Sequence, residues 1–249
     1  MNYVLQIECV TKYYQEVDKS QPVLKELDLN IKAGKFTILM GPSGSGKSTL
    51  LYLLGGLDKP SSGIVRVLGH NICRKSESQL AKFRRQHIGF VFQNHNLIHQ
   101  LTLEENIWLA GYLVKRDKRE VRRRTRQLMQ QLGIGHLANR LPGEISRGES
   151  QRGAIARALI NEPKILMADE PTGNLNSKSS VNVLECFHEL HKSGQSILMV
   201  THHIPSTAFG DEVFYLKDGA ILDYLNLQNS GSVKQKKDRI THWLETNGW

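Results

Sequence analysis

The sequence predicts an α/β fold built on a largely parallel sheet, and three features carry that expectation. Short, mostly apolar runs recur at Phe36–Met40, Ile165–Ala168 and Ile197–Val200, each of the length of a buried strand. Segments of helical length alternate with them, which is the rhythm of strand–helix–strand units. Each run then ends in a glycine-rich or polar word, at the carboxyl end of a strand, where open α/β sheets bind their ligands.

In chain order, Val4–Val10 reads as a strand and Val23–Ile31 as an edge segment. Phe36–Met40 is a buried strand ending at Gly41, and Lys47–Leu54 is the helix that follows. Gly55, Gly56 and the turn Pro60–Gly63 lead to a strand at Ile64–Leu68. From about Glu77 to Gly133 the pattern turns helical. Leu80 and Phe83, then Ile107, Leu109 and Ala110, then Val121, Leu128, Met129 and Leu132 form apolar stripes of an inserted helical block, taken to span 77–150. The α/β rhythm resumes with a helix at Glu149–Ile160, the strand Ile165–Ala168, a helix at Val181–His191 and the strand Ile197–Val200. Asp218-Gly219 between Val213–Leu216 and Ala220–Leu222 signals a hairpin. The domain is expected to span 4–225. A polar, basic tail, 226–249, is expected to be mobile or to form a short helix carrying Trp243 and Leu244.

Composition excludes several classes. Apolar residues make up 39% of the 249 residues and charged residues 23%, which suits one globular domain. Three cysteines, Cys9, Cys73 and Cys186, lie far apart without metal-ligand spacing, so reduced, isolated thiols are expected. Met1–Val10 has no basic region followed by an apolar stretch, and no apolar run is long enough to cross a bilayer. Work at a membrane would therefore need another chain. The net charge of +9 is partly local, because Lys115–Arg126 alone contributes +6. Such an excess fits nucleic acid, an anionic membrane surface or solubility.

The chemistry concentrates in two words. Gly41-Pro42-Ser43-Gly44-Ser45-Gly46-Lys47-Ser48 satisfies G-x-x-x-x-G-K-[ST], with an apolar strand before it and a helix after it. Glycines let such a loop wrap tightly with its N–H groups inward, and the helix start adds the positive end of its dipole. Lys47 would reach the β- and γ-phosphates, and Ser48 would offer a hydroxyl to Mg²⁺. Asp169 and Glu170 end a buried strand, a costly place for two carboxylates without partners. Asp169 suits the Mg²⁺ shell, and Glu170 suits a general base for the attacking water.

Between these words the sequence becomes specific. Ile145-Ser146-Arg147-Gly148-Glu149-Ser150-Gln151-Arg152 resembles the L-S-G-G-E-Q-Q-R signature of ATP-binding-cassette (ABC) ATPases. Gln93 after Gly89-Phe90-Val91-Phe92 resembles their Q-loop. Asp169-Glu170-Pro171-Thr172-Gly173-Asn174-Leu175-Asn176 resembles Walker B running into the D-loop, and Thr201-His202 resembles the switch histidine. The resemblance covers roughly Val4–Leu222. Gly55–Pro60, Phe92-Gln93 with Asn96-Leu97, Leu101-Thr102 with Glu105-Asn106, and Pro171–Leu175 are similar to ATPases of the lipoprotein-releasing and macrolide-efflux type.

That resemblance implies a P-loop NTPase core with an antiparallel β subdomain and an inserted α-helical subdomain. It implies ATP on Gly41, Pro42, Ser43, Gly44, Ser45, Gly46, Lys47, Ser48 and Thr49, with Mg²⁺ held by Ser48, Gln93 and Asp169. It implies catalysis by Lys47, Gln93, Glu170 and His202. It also implies that two cassettes meet head to tail, so that Ser146 and Gly148 of one address the nucleotide of the other; a homodimer is expected. Adenine is expected to stack on Tyr14, with Tyr13 as the rival. The implied partner is an integral membrane permease, and the implied place is the cytoplasmic face of the inner membrane. No specific nucleic acid is expected. The main reading is a transporter subunit powering export or membrane extraction; the alternative is a mechanotransmitting cassette of the cell-division or sensing type.

Two positions depart from the pattern. Arg147 replaces a signature glycine, and Asn176 replaces the D-loop aspartate. An arginine must place its side chain elsewhere or block closure, so a working but slowed ATPase is expected. The basic run is read first as a solvated face, and more sharply as a contact for anionic headgroups or an acidic loop of the membrane partner.

Overall fold

The computed structural model describes residues 3–14, 21–114, 117–228 and 230–248. The element order is β1 Tyr3–Lys12, β2 Leu24–Lys32, β3 Phe36–Met40, α1 Lys47–Leu54, β4 Ser62–Val67, β5 His70–Asn71, α2 Glu77–His87, β6 Ile88–Val91, α3 Leu103–Tyr112, α4 Lys118–Gln131, α5 Arg147–Leu159, β7 Ile165–Asp169, α6 Ser177–Lys192, β8 Ser196–Thr201, α7 Ile204–Thr207, β9 Glu212–Lys217, β10 Ala220–Asn226 and α8 Val233–Thr246. The chain divides into two compact units, Met1–Leu80 with Ser196–Trp249, and Ala81–Gln195.

The first unit holds two sheets. In the antiparallel one, β1 lies between β2 and β4, with Leu5 opposite Ile31 on one side and Val67 on the other. Along β2, Leu27, Leu29 and Ile31 are buried while their neighbours face out, the period of a half-buried strand. In the second sheet β3 runs parallel to both β8 and β9, pairing Ile38 with Met199 and with Val213. Every residue of β3 and β8 is buried, which explains why their sequences are almost wholly apolar; Thr37, the polar residue inside β3, donates to Glu212 at 2.7 Å. The hairpin β9–β10 turns at Asp218-Gly219, as its sequence signalled.

The tail is a 14-residue helix in this unit. Ile240 and Leu244 bury one face of α8, which packs on α7. Trp243 donates through Nε1 to Asp223 Oδ2 at 2.6 Å and meets the Tyr215 ring edge-on. Ser232 caps it with a capping box to Gln235, a signal that its polar composition hid.

In the second unit β6 pairs in parallel with β7, Ile88 opposite Ile165 and Val91 opposite Ala168. Four-residue β6 lies inside the stretch that reads as helical from sequence, too short to declare a period of its own. Helix α3 packs on α4 and α5, and α5 on α6. On α4, Val121, Thr125, Leu128 and Met129 face inward. Arg124 is committed to structure: its guanidinium donates to the carbonyls of Ile160 (3.1 Å) and Leu159 (3.3 Å) at the end of α5 and pairs with Glu162. A cation there satisfies carbonyls that a helix terminus leaves open. Lys115 and Arg116 of the basic run lie outside the described residues. Among the described residues no helix is long and apolar enough to cross a membrane.

Candidate nucleotide-binding site

In the first unit, β3 delivers the chain into the loop Gly41–Gly46, and α1 begins at Lys47. Gly41 lies against β9: a Cβ there would sit 2.0 Å from the Leu216 carbonyl oxygen, so only glycine lets the strand end turn at this point. The Lys47 ammonium curls back over its own loop, donating to the carbonyls of Gly41 (2.9 Å) and Pro42 (2.8 Å), and the residue is buried.

Helix α1 is capped differently from its neighbours. Thr102, Asp117, Ser146 and Asn176 cap α3, α4, α5 and α6 with side-chain oxygens. The position before α1 is Gly46, with no side-chain cap, and its first turn holds no carboxylate. A helix start of this kind, with no side-chain cap and no acid of its own, favours an anion. Ser45 Oγ is buried beside it without a hydrogen-bond partner in the structure. A helix start without a side-chain cap, a buried ammonium and a buried hydroxyl together fit a triphosphate. Ser48 and Thr49 follow on the first turn of α1. Strand β8 ends at Thr201, and His202, exposed, stands directly after it.

Tyr14, two residues beyond β1, is 39% exposed, and Tyr13 is 40% exposed. The two differ in their ties. The Tyr13 backbone amide donates to Ser61 Oγ, whereas the Tyr14 hydroxyl itself donates to Asp58 Oδ2 at 3.0 Å.

In the second unit, Asp169 ends β7 with 8% exposure. Glu170 follows with a left-handed φ of 45°, a conformation that turns the chain sharply away from the strand. The turn is closed by the Gly173 amide donating to the Glu170 carbonyl. Gln93 is exposed and donates to Asn174 Oδ1 at 3.3 Å, while Asn174 Nδ2 donates to Asn94 Oδ1 at 3.0 Å. The Q-loop and the stretch after Glu170 are thus joined by amides. Asn176 caps α6 through the Ser179 amide at 2.8 Å, a role that its missing charge does not impair.

Ser146 caps α5 in a capping box with Glu149, to which its hydroxyl also donates at 2.6 Å. Those hydrogen bonds from the Ser146 hydroxyl and amide hold the Glu149 carboxyl below its ordinary range. Arg147, exposed, turns its guanidinium to the Asn174 carbonyl at 3.4 Å. Gly148 is buried against α6, where a Cβ would fall 2.9 Å from that of Ser179.

Side chains that sequence reading passed over hold the Q-loop. Gln151, fully buried on α5, donates to the Phe92 carbonyl at 3.1 Å and accepts from His95 Nδ1. Arg157, two turns on, donates to the carbonyls of His95 (2.8 Å) and Asn96. Burial pushes the His95 imidazole below the ordinary histidine value. The Gln151 hydrogen bond opposes that shift, and the charges of Arg147 and Arg157 add to it. The folded state therefore refuses a proton that the unfolded chain accepts below about pH 6.5, so stability falls as pH drops through that range. Between about pH 7.5 and about pH 5.5 the wild-type protein should lose more thermal stability than a His95→Asn variant. Parallel melting curves of the two proteins would put His95 outside the acid response.

Among the described residues no cluster of three His, Cys, Asp or Glu side chains is placed to hold a metal. A hydroxyl, an amide and one carboxylate are the donors that a hard, largely hydrated Mg²⁺ takes alongside phosphate oxygens.

The sequence matches the ABC transporter family over residues 24–173. It is 41% identical over 217 residues to the lipoprotein-releasing system ATP-binding protein LolD of Shewanella oneidensis, covering 87% of this chain and 94% of that one. It is 39% identical over 222 residues to the macrolide export ATP-binding/permease protein MacB 1 of Yersinia pestis bv. Antiqua, covering 89% of this chain and 34% of that longer protein. A dimeric post-hydrolysis structure of the ATP-binding cassette MJ0796 bound to ADP and Pi superposes with a TM-score of 0.83 at 39% identity, over 90% of this chain and 98% of that one. With the strand–loop–helix cradle and the family match over most of the fold, the chain belongs to the ABC transporter family as an ATP-binding cassette ATPase.

Proposed function

We propose that this cassette drives export, or extraction of a cargo from the membrane, as a subunit paired with a second copy of itself and docked on a separate integral permease at the cytoplasmic face of the inner membrane. The observation that carries the nucleotide chemistry is the start of α1, where uncapped amides, the Lys47 ammonium and the orphaned Ser45 hydroxyl converge.

Lys47 neutralises the β- and γ-phosphates. Ser48, Asp169 and Gln93 would hold Mg²⁺, which would supply charge to balance the phosphates. Glu170 takes a proton from water as its oxygen bonds to the γ-phosphorus. The bond from phosphorus to the β–γ bridging oxygen breaks, leaving ADP and phosphate. His202 stabilises the charge on the transferring group. Ser146 and Gly148, at the start of α5, address the nucleotide of the second copy with helix amides. ATP then holds two cassettes together, and hydrolysis releases them.

Two surfaces of the second unit support the membrane setting. A groove of about 340 Å³ is lined by Phe90, Phe92, Ala110 and Leu113, with Arg85 and Arg157 among its polar members. An apolar floor beside the backbone that carries Gln93 suits a helix of the permease. On α4, Arg119, Arg122, Arg123 and Arg126 follow helical spacing on the face opposite Val121, Thr125 and Leu128. Arg122 lies over Trp108, 5.1 Å from its ring, and donates to the Tyr112 hydroxyl. Basic and aromatic side chains together suit a headgroup region.

Three tests follow. Glu170→Gln should keep ATP binding while turnover falls about 10²–10⁴-fold. Purified from native membranes with Mg-ATP, this variant should carry an integral membrane protein identifiable by mass spectrometry; recovery of only soluble proteins or nucleic acid would end the transport reading. Arg147→Gly should raise turnover, because the guanidinium then leaves the signature end of α5; equal rates would clear Arg147 of slowing closure. Arg119→Gln, Arg123→Gln and Arg126→Gln combined should cut sedimentation with phosphatidylglycerol vesicles by roughly two orders of magnitude, at about 1 kcal/mol per basic residue. Unchanged sedimentation would mark the face as merely solvated.

A further inference from the structure

Asp58 belongs to no part of the phosphate chemistry, yet it is the hub of the first unit's polar contacts near Tyr14. Its Oδ1 accepts from the Lys12 ammonium at 2.7 Å and from the Lys59 amide at 2.7 Å, and its Oδ2 accepts from the Tyr14 hydroxyl at 3.0 Å. Lys12 is buried, also donates to the Lys59 carbonyl at 2.8 Å, and stands 4.8 Å from the centre of the Tyr14 ring. The Tyr14 hydroxyl is hydrogen-bonded to the Thr49 side chain as well, on the first turn of α1. Asp58 itself lies just past the other end of α1, its amide donating to the Tyr52 carbonyl at 3.3 Å.

These contacts clamp one aromatic ring by its hydroxyl edge and by one face. The hydroxyl is tied to both ends of the eight-residue helix that opens with Lys47. The ring is therefore held at a fixed reach from the phosphate loop. Partial burial pushes the Asp58 carboxyl up, but the hydrogen bonds from Lys12, the Lys59 amide and Tyr14, with the Lys12 charge, outweigh it and leave it below its ordinary value. It stays ionised, as a partner for Lys12 must.

We propose that Asp58, together with Lys12, positions Tyr14 as a preorganised nucleobase platform, and so sets the preference of this cassette for a nucleoside triphosphate over a bare triphosphate. The proposal rests on the reading of Tyr14 as the residue on which the base stacks. A flexible tyrosine would lose part of its stacking gain in being ordered, and a clamped one has already met that cost. Asp58 touches neither base nor phosphate here; it is a positioning residue that acts through the ring.

The test compares the affinities of the full chain for ATP, in a Glu170→Gln background, and for inorganic tripolyphosphate. Tyr14→Ala and Asp58→Ala should each weaken ATP roughly tenfold and leave tripolyphosphate unchanged. The double variant should be no weaker than either single one, because both remove the same platform. Asp58→Asn, which keeps an acceptor for Tyr14 but loses the charge that holds Lys12, should fall between. A ratio of affinities that Tyr14→Ala leaves intact would remove the platform itself, and this proposal with it. A ratio that collapses with Tyr14→Ala but survives both Asp58 variants would keep the platform and overturn the role of Asp58. Equal weakening of both ligands by Asp58→Ala would assign Asp58 to the fold of the cradle instead.

Discussion

The start of α1 is the constraint around which the first unit is arranged. A helix beginning without a side-chain cap, without an acid in its first turn and with a lysine folded over the preceding loop gathers donors and positive charge at one place. Thr102, Asp117, Ser146, Asn176 and Ser232 cap α3, α4, α5, α6 and α8 with their side chains, whereas α1 has no such cap at Gly46. Holding such an end open requires rigid surroundings. The strand before it is buried throughout and bonded on both sides, to β8 and β9, and Gly41 fits against β9 with no room for a side chain. The parallel sheet serves mainly to keep this loop from relaxing onto other partners.

Much of this was legible in the sequence because it is local. A short, mostly apolar run followed by glycines, lysine and serine states strand, loop and helix within a few residues, and Phe36–Ser48 folds as that pattern requires. The strand ending at Asp169 and the one ending at Thr201 were legible for the same reason. What stayed hidden depends on distant partners. Strand β6 has four residues and becomes a strand through its pairing with β7. Helix α8 carries a sparse apolar stripe, Ile240 and Leu244, inside a basic segment, and is fixed by Trp243 reaching Asp223 on β10. Asp58 stood within the quoted word Gly55–Pro60, but its bond to Tyr14 spans 44 positions.

The second unit shows how a helix can carry two functions by having two ends to its polar side. The first residues of α5 are the signature, presented by the Ser146 cap. A turn later Gln151 grips Phe92 and His95, and two turns after that Arg157 grips His95 and Asn96. The backbone on either side of Gln93 is thus fastened to the helix whose start is proposed to address a second copy's nucleotide. Displacement of either end would be felt at the other through short, buried contacts, with Gln151 fully enclosed. Arg124 closes the far end of the same helix, which separates it from its neighbours on the basic face of α4: adjacent in sequence, it faces inward to carbonyls while Arg123 faces out.

The two departures from the signature pattern acquire different meanings in this setting. Asn176 retains what its position asks of the side chain within one cassette, an oxygen for the Ser179 amide, and gives up only the charge. Arg147 adds something that glycine lacks. Its guanidinium lies over Asn174, whose side chain already joins Gln93 to Asn94. The signature end of α5, the stretch after Glu170 and the Q-loop are consequently tied at one asparagine. A glycine would leave that end of the helix free to approach a nucleotide, whereas the arginine gives it a competing partner within its own chain. Because the contact is exposed and 3.4 Å long, it is weak enough to exchange for a phosphate oxygen. What the substitution adds within one cassette is therefore a weak contact of the signature end of α5 with its own chain, one that glycine cannot make.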